Sequence, residues 1–264
     1  MLIGHIGTKN CLMSNLVIDI GNTFTKALVF SDDQIIYNER KVSFSIVELE
    51  KLIKEYQVQK IIVSSVREEF DIETNQIAEV PVIYFNYKTN IPVLNQYKTP
   101  NTLGVDRLAG VIGAKQIYPD KAVLVIDFGS CITFDFVNAE SEYFGGAISP
   151  GLKMRFKAMH QFTGKLPEID NYESTQKFDS LFGTDTTEAL QAGVVNGILF
   201  EVEGYIKQYN ENNIDLKVIL CGGDASFFDT RLKNSIFAHQ ILMEPNLVPI
   251  GLNTVVRYQD DKKN

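Results

Sequence analysis

Two carboxylates set the chemistry open to this sequence. Asp19 closes the apolar run in LVIDIGNTFTKALVF, Leu16 to Phe30, and Asp127 closes that in LVIDFGSCITFDFV, Leu124 to Val137. Each acid is followed two residues later by glycine, so a carboxylate projects from a strand tip while Gly21 or Gly129 lets the backbone turn. Asn22, Thr23 and Thr25 in one copy, Ser130 and Thr133 in the other, set small polar groups beside exposed amides. Such a turn can cradle phosphate oxygens. Alone, one of them reads as an ordinary hairpin, because Asp, Asn and Gly are common turn residues. Two in matching contexts, about 108 positions apart, point toward a nucleotide cleft.

Four further segments carry candidate chemistry. In TPNTLGVDRLAG, Thr99 to Gly110, Gly104, Asp106 and Arg107 stand where a loop gives way to a helix; by itself the pair is as well read as a helix-start charge and a surface cation. FGGAISPGL, Phe144 to Leu152, has glycines that permit close backbone approach and a Pro-Gly turn before a helix. GTDTTEALQAGVVNG, Gly183 to Gly197, opens a long helix with Asp185 or Thr186 as its cap. LCGGDA, Leu220 to Ala225, puts a double glycine after a strand, as a purine or ribose platform requires. Each of the last three is also compatible with tight packing and no ligand.

The elements that must hold these residues repeat. Leu16 to Asp19, Phe24 to Phe30 and Gln34 to Ser43 read as strands, Ile46 to Tyr56 as a helix with apolar residues at helical spacing, and Lys60 to Arg67 and Pro81 to Phe85 as further strands. The second half repeats that order with strands at Val123 to Asp127, Ile132 to Val137 and Glu142 to Ile148, helices at Leu152 to Gln161 and Thr187 to Gln208, and KVILCGGD, Lys217 to Asp224, in the place of KIIVSSVR. The simplest account is an internal duplication of a half-domain unit, with halves at 13–115 and 116–258 and a cleft between them. Residues 1–12 form an extension without an assigned role, Met13 being an alternative start.

Composition limits the rest. With 264 residues, 45% of them hydrophobic, the chain can bury one large core or two modest ones. A net charge of −8 disfavours nucleic acid as the main partner. No apolar run is long enough for a membrane span, and the first residues lack an export signal. Cys11, Cys131 and Cys221 are scattered, with no CxxC, which suggests neither a disulfide framework nor a zinc site and fits a reducing cytoplasm. GxxxxGK[ST], GxGxxG and GxSxG are all absent, so P-loop, Rossmann and serine-hydrolase readings lose their support. His5, His160 and His239 read as surface or packing residues.

Taken together, DIGNTFTK, GVDR, DFGSCITFD, GGAISPG, GTDTTEALQAG and CGGDA resemble the type III pantothenate kinases of bacteria, within the acetate and sugar kinase, Hsp70 and actin superfamily. The resemblance runs from about Asn15 to about Leu252. It departs at Ser130, where the family commonly carries Thr. It implies an α/β, duplicated actin-like (ribonuclease H-like) fold of two lobes, each a mixed five-stranded sheet with helices, around a nucleotide cleft. It also implies ATP-dependent phosphorylation of pantothenate, the first step of coenzyme A synthesis. Asp19, Ile20, Gly21, Asn22, Thr23, Phe24, Thr25, Lys26 and Ser130 would then contact ATP and its Mg²⁺. Asp127 would hold a monovalent cation, K⁺ or NH₄⁺. Tyr97, Gly104, Val105, Asp106, Arg107 and Thr186 would line the pantothenate site, with Asp106 the proton acceptor, and a homodimer would complete that pocket.

Physical chemistry agrees with those roles. Phosphoryl transfer asks mainly for alignment and positive charge around the transferring group, with a carboxylate to take the hydroxyl proton. Asp106 suits that base, Arg107 offers a fork of donors to an anion, and Lys26 with Mg²⁺ would screen the phosphates. The alternatives are an accessory transcriptional regulator of the same family, which would need no turnover by Asp106, and another small-molecule kinase of the superfamily, which would prefer sugar or acetate.

Overall fold

The apolar run that ends at Asp19 becomes the middle strand of a mixed sheet. The computed structural model describes residues 14–67, 80–169, 180–213 and 215–262; the extension 1–12, Met13, Cys11 and His5 lie outside them. Five strands, β1 (Ser14–Ile20), β2 (Thr25–Ser31), β3 (Gln34–Lys41), β4 (Val58–Ser65) and β5 (Val82–Tyr84), are ordered β3-β2-β1-β4-β5. β1 runs antiparallel to β2 and parallel to β4. One sheet face carries Leu16, Ile18, Ala27, Val29, Ile61 and Val63, and buries them against Leu49, Leu52 and Ile53 of helix α1 (Ile46–Glu55). That helix begins where Ser45 and Glu48 form a reciprocal cap: the Ser45 hydroxyl accepts from the Glu48 amide, and the Glu48 carboxylate accepts from the Ser45 amide.

The second sheet repeats the plan around the run that ends in Asp127. It contains β6 (Leu94–Asn95), β7 (Val123–Phe128), β8 (Cys131–Val137), β9 (Glu142–Pro150), β10 (Lys217–Cys221) and β11 (Ile241–Met243), in the order β11-β10-β7-β8-β9-β6. β7 again runs antiparallel to the strand after it and parallel to the later crossover strand. The sheet thus has six strands where five are expected. The addition is the short β6, held at the edge by Leu94 N–H to Ser141 O and Gln96 N–H to Tyr143 O, at 2.9 and 2.8 Å. Two residues carry no periodicity, so this strand leaves no trace in the sequence pattern.

Helices α2 (Val105–Ile117), α3 (Leu152–Gln161), α4 (Thr186–Asn212), α5 (Ala225–Leu232) and α6 (Leu247–Asp261) complete the chain. Phe156, Ile198, Val202, Ile206 and Phe228 from α3, α4 and α5 pack with Leu124, Ile126, Phe128, Ile132 and Phe134 of the sheet. Two compact units result, Met1–Asn90 with Leu252–Asn264, and Ile91–Gly251. This division departs from a boundary at 115/116, because α2 packs on the second sheet: a side chain at Gly110 would touch Val125 at 3.8 Å, and Gly113 and Gly251 let α2 and the start of α6 approach backbone to backbone. Among the described residues no helix is long and apolar enough to cross a membrane.

Lys115, 7% exposed, ties the end of α2 to its unit. Its ammonium donates to the carbonyls of Lys121, Asn138 and Ala139 at 2.9, 3.2 and 3.1 Å. Burial holds its pKa below the usual lysine value, and the three acceptors are what make a charge tolerable there. Lys115→Met should keep the aliphatic volume while stranding those carbonyls, a loss of about 1 to 3 kcal/mol in denaturant unfolding. An unchanged midpoint would mean that water replaces the ammonium without cost.

Candidate active site

In the first unit the repeated turn is built as the sequence suggests. Gly21 N–H bonds to Phe24 O at 3.0 Å, closing the loop after β1, and Asn22, Thr23 and Phe24 are exposed. Ile20 points into the core, so only its backbone faces the loop. Thr25 is buried, its hydroxyl directed at Val42 O at 3.5 Å. Arg67 clasps the loop from β4, donating through Nε to Gly21 O at 2.9 Å and through Nη2 to Asn22 O at 3.3 Å. Register then aligns a polar row across four strands: Ser64 pairs with Asp19, Asp19 with Lys26, and Lys26 with Arg40. Paired residues of neighbouring strands share a face, so one carboxylate, two cations and a hydroxyl meet at the loop end of the sheet. Arg40 also lies over the Phe24 ring at 4.1 Å. The Ser64 hydroxyl is 1% exposed and is a buried side-chain polar atom without a hydrogen-bond partner among the described residues. Arg67, Arg40 and Ser64 escaped the sequence reading, since only register and the fold of the β4 end bring them to Asp19.

In the second unit, Asp106 and Arg107 occupy the first turn of α2, with Gly104 at the N-cap position. Arg107 N–H donates to Asp106 Oδ1 at 2.8 Å. A Cβ at Gly104 would come within 2.6 Å of that oxygen, so the glycine makes room for the carboxylate. Burial pushes Asp106 above the ordinary carboxylate range, opposed by the Arg107 amide and assisted by the charge of Asp135. The Arg107 fork is engaged: Nε lies 3.1 Å from both oxygens of Asp135, and Nη2 lies 2.6 Å from Oδ1. Its full donor fork is therefore not available to a ligand. Tyr143 Oη donates to the same Oδ1 at 2.7 Å. Burial opposes the charge on Arg107, yet the hydrogen bond and charge of Asp135 outweigh it and hold the guanidinium ionised; burial, then Asp135, pushes the Tyr143 phenol up.

Tyr97 completes this group. Its ring is parallel to Tyr143 with centroids 6.4 Å apart, and Arg107 Cζ lies 5.9 Å from its centroid. Gly145 has φ +111°, and a Cβ there would strike the Tyr97 ring at 2.7 Å, so the first glycine of FGGAISPGL allows the ring to lie on β9. Val105 is half-buried beside Asp106. Thr186 is exposed in the first turn of α4, which is capped by the Asp185 carboxylate accepting from Glu188 N–H. No hydrogen bond joins Thr186 to Tyr97, Asp106 or Arg107 among the described residues.

The second acidic turn follows the C-terminal end of β7. Gly129 N–H bonds to Cys131 O at 3.0 Å, and Gly151 N–H to Ser130 O at 3.2 Å. A side chain at Gly151 would lie 2.4 Å from Gly129 O, so the Pro-Gly turn brings the start of α3 onto this loop. Ser130 is exposed. Gly222, at φ +94°, lies so close that its Cβ would stand 2.4 Å from Asp127 Oδ1, and Asp224 N–H bonds to Phe128 O at 3.0 Å. Burial raises the Asp224 carboxyl, opposed by Lys153. Asp127 thus lies against Gly222 where only glycine leaves room for its carboxylate, and a carboxylate oxygen is a donor of the kind that hard cations take.

Two sheets that share a five-strand order, the second with β6 added at its edge and each with an acidic glycine turn after its first strand, define a duplicated actin-like α/β fold. Solved structures share it: a protein of Campylobacter jejuni described as a Baf family transcriptional activator matches with TM-score 0.58 at 22% identity over 93% of this chain and 99% of that one. A protein of Listeria monocytogenes described as an N-acetylmannosamine kinase matches with TM-score 0.57 at 15% identity, covering 96% and 100%. The sequence model of the type III pantothenate kinases matches residues 15–208. The type III pantothenate kinase of Phocaeicola vulgatus is 41% identical over 93% of this chain and 99% of its own length, and that of Cytophaga hutchinsonii 37% over 92% and 99%. The chain belongs to the type III pantothenate kinase family.

Proposed function

We propose that this chain transfers the γ-phosphoryl group of ATP to the primary hydroxyl of pantothenate, giving 4'-phosphopantothenate for coenzyme A synthesis. The observation that carries the reading is the half-buried Asp106 carboxylate, held at the first turn of α2 beside an arginine whose charge is already balanced by Asp135. A carboxylate in that setting is more basic than an exposed one and suits proton removal from an alcohol as the phosphoryl group arrives. Asp19 to Lys26, with Ser130, would bind the ATP phosphates, Asp19 through the water shell of Mg²⁺. Lys26, Arg40 and Arg67 supply the local positive charge that a chain of net charge −8 needs for a triphosphate. Asp127 would hold K⁺ or NH₄⁺, whose chemistry is to offset phosphate charge. Tyr97, Gly104, Val105 and Arg107 would form the pantothenate site.

Thr186 would reach that site from the second copy of a homodimer, which agrees with its exposure and with the lack of a hydrogen bond to Tyr97, Asp106 or Arg107 among the described residues. One assay addresses both parts: ADP release with pantothenate against a panel of hydroxylated acids and sugars, repeated over a dilution series. The expected result is turnover with pantothenate alone, with specific activity falling in step with the dimer fraction found by sedimentation. Preference for a sugar would remove the substrate, and a fully active monomer would remove the shared pocket.

A further inference from the structure

Asp135 is a carboxylate in the middle of an apolar strand, 1% exposed, and it accepts from both Arg107 and Tyr143. Both of its oxygens meet Arg107 Nε, Oδ1 also meets Nη2, and the Tyr143 hydroxyl donates to Oδ1. The Arg107 side chain is itself only 7% exposed. A buried carboxylate and guanidinium in this geometry fix each other, because breaking the contact strands a charge in the interior. None of the bonds to Asp135 uses Arg107 Nη1. The plane of the guanidinium, and hence the direction of Nη1, is held mainly from the Asp135 side, with Tyr97 a further hydrogen-bond partner of the side chain.

We propose that Asp135 is a positioning residue for the phosphoryl transfer: with Tyr143 it holds Arg107 so that a single guanidinium edge meets the carboxylate of the acceptor substrate, and it balances the arginine's charge next to Asp106. The inference rests on the pantothenate reading and adds a specificity element to it. A pre-aligned single edge selects an acceptor whose carboxylate arrives from one direction, whereas a free fork would take any anion end-on or side-on. The charged groups bearing on Asp106 are Arg107 on its own helix and Asp135 on β8; the phenols of Tyr143 on β9 and of Tyr97 border Arg107. Removing the Asp135 charge leaves Arg107 as the dominant neighbour, which favours ionised Asp106.

Asp135→Asn and Tyr143→Phe test this, with KM for pantothenate, KM for ATP and the acid limb of kcat/KM measured on each. For Asp135→Asn the expected result is a KM for pantothenate raised about tenfold or more with that for ATP within about twofold, and an acid limb moved to lower pH. Tyr143→Phe should move the pantothenate KM in the same direction by less. A purely structural role would lower the amount of active enzyme and leave both KM values and the limb in place. That outcome, in a folded Asp135→Asn or, if it does not fold, in Tyr143→Phe, would overturn the proposal. A wild-type chain inert toward pantothenate would overturn the kinase reading and this inference with it; an active wild type with unmoved variants would overturn this inference alone.

Discussion

Asp106→Asn is expected to fold and bind ATP as the wild type does, and to turn over pantothenate at least about 10²-fold more slowly, within the usual range for loss of a general base. Asn keeps the shape and can still accept the Arg107 amide bond of 2.8 Å, so the first turn of α2 has no cause to unwind. What disappears is the proton acceptor. The wild-type pH profile gives an independent check. Burial raises Asp106 above the ordinary carboxylate value, and the base works only when ionised. Activity should therefore be full above that raised pKa and fall as pH drops through it, with a limb displaced upward from the range of an exposed Asp. In Asp106→Asn the residual rate should lose this limb. Undiminished turnover, or a limb that persists unchanged in the variant, would take Asp106 out of the mechanism.

Much of this site was legible because its chemistry lies on short, strongly patterned segments. Asp19 and Asp127 end runs whose alternation and length mark strands, and their duplication announced the repeated sheet order that the structure confirms. Asp106 was marked by its place at a helix start, and its proposed role came from the family resemblance. Asp135 was quoted within DFGSCITFD without a role, although an acid between Phe134 and Phe136 in a strand carries a signal: a carboxylate at a buried position needs a buried cation. Its partner could not be named, because Arg107 meets it across 28 positions through the packing of α2 on β8. Arg67 and Arg40 were illegible for the same reason, register being a property of pairing. The Arg107 fork was read as free for substrate, an expectation that the Asp135 contact revises.

Replacing Na⁺ or Tris by K⁺ or NH₄⁺, with Mg²⁺ constant, is expected to raise turnover about tenfold or more, and Asp127→Ala should abolish the response. Asp127 lies one residue before the end of β7, in register with Thr133 and Cys221 on its two neighbouring strands, so its backbone is held by ladders on both sides. Two like charges about 4 Å apart at an effective dielectric near 20 repel by roughly 4 kcal/mol. If a bound cation relieves even a third of that between Asp127 and a triphosphate, the rate changes by about a factor of ten. Gly222→Ala provides a second perturbation that leaves the carboxylate in the chain: the new Cβ would lie 2.4 Å from Asp127 Oδ1 and 2.6 Å from the Phe128 backbone nitrogen, at φ +94°. Something must move: the Asp127 side chain on one side and the Phe128 backbone on the other, and either shift displaces the carboxylate. A folded Gly222→Ala should therefore lose the K⁺ response along with Asp127→Ala, whereas a variant altered only in nucleotide contact would keep it at a higher KM for ATP. Equal rates in all buffers for the wild type would remove the monovalent cation from this site.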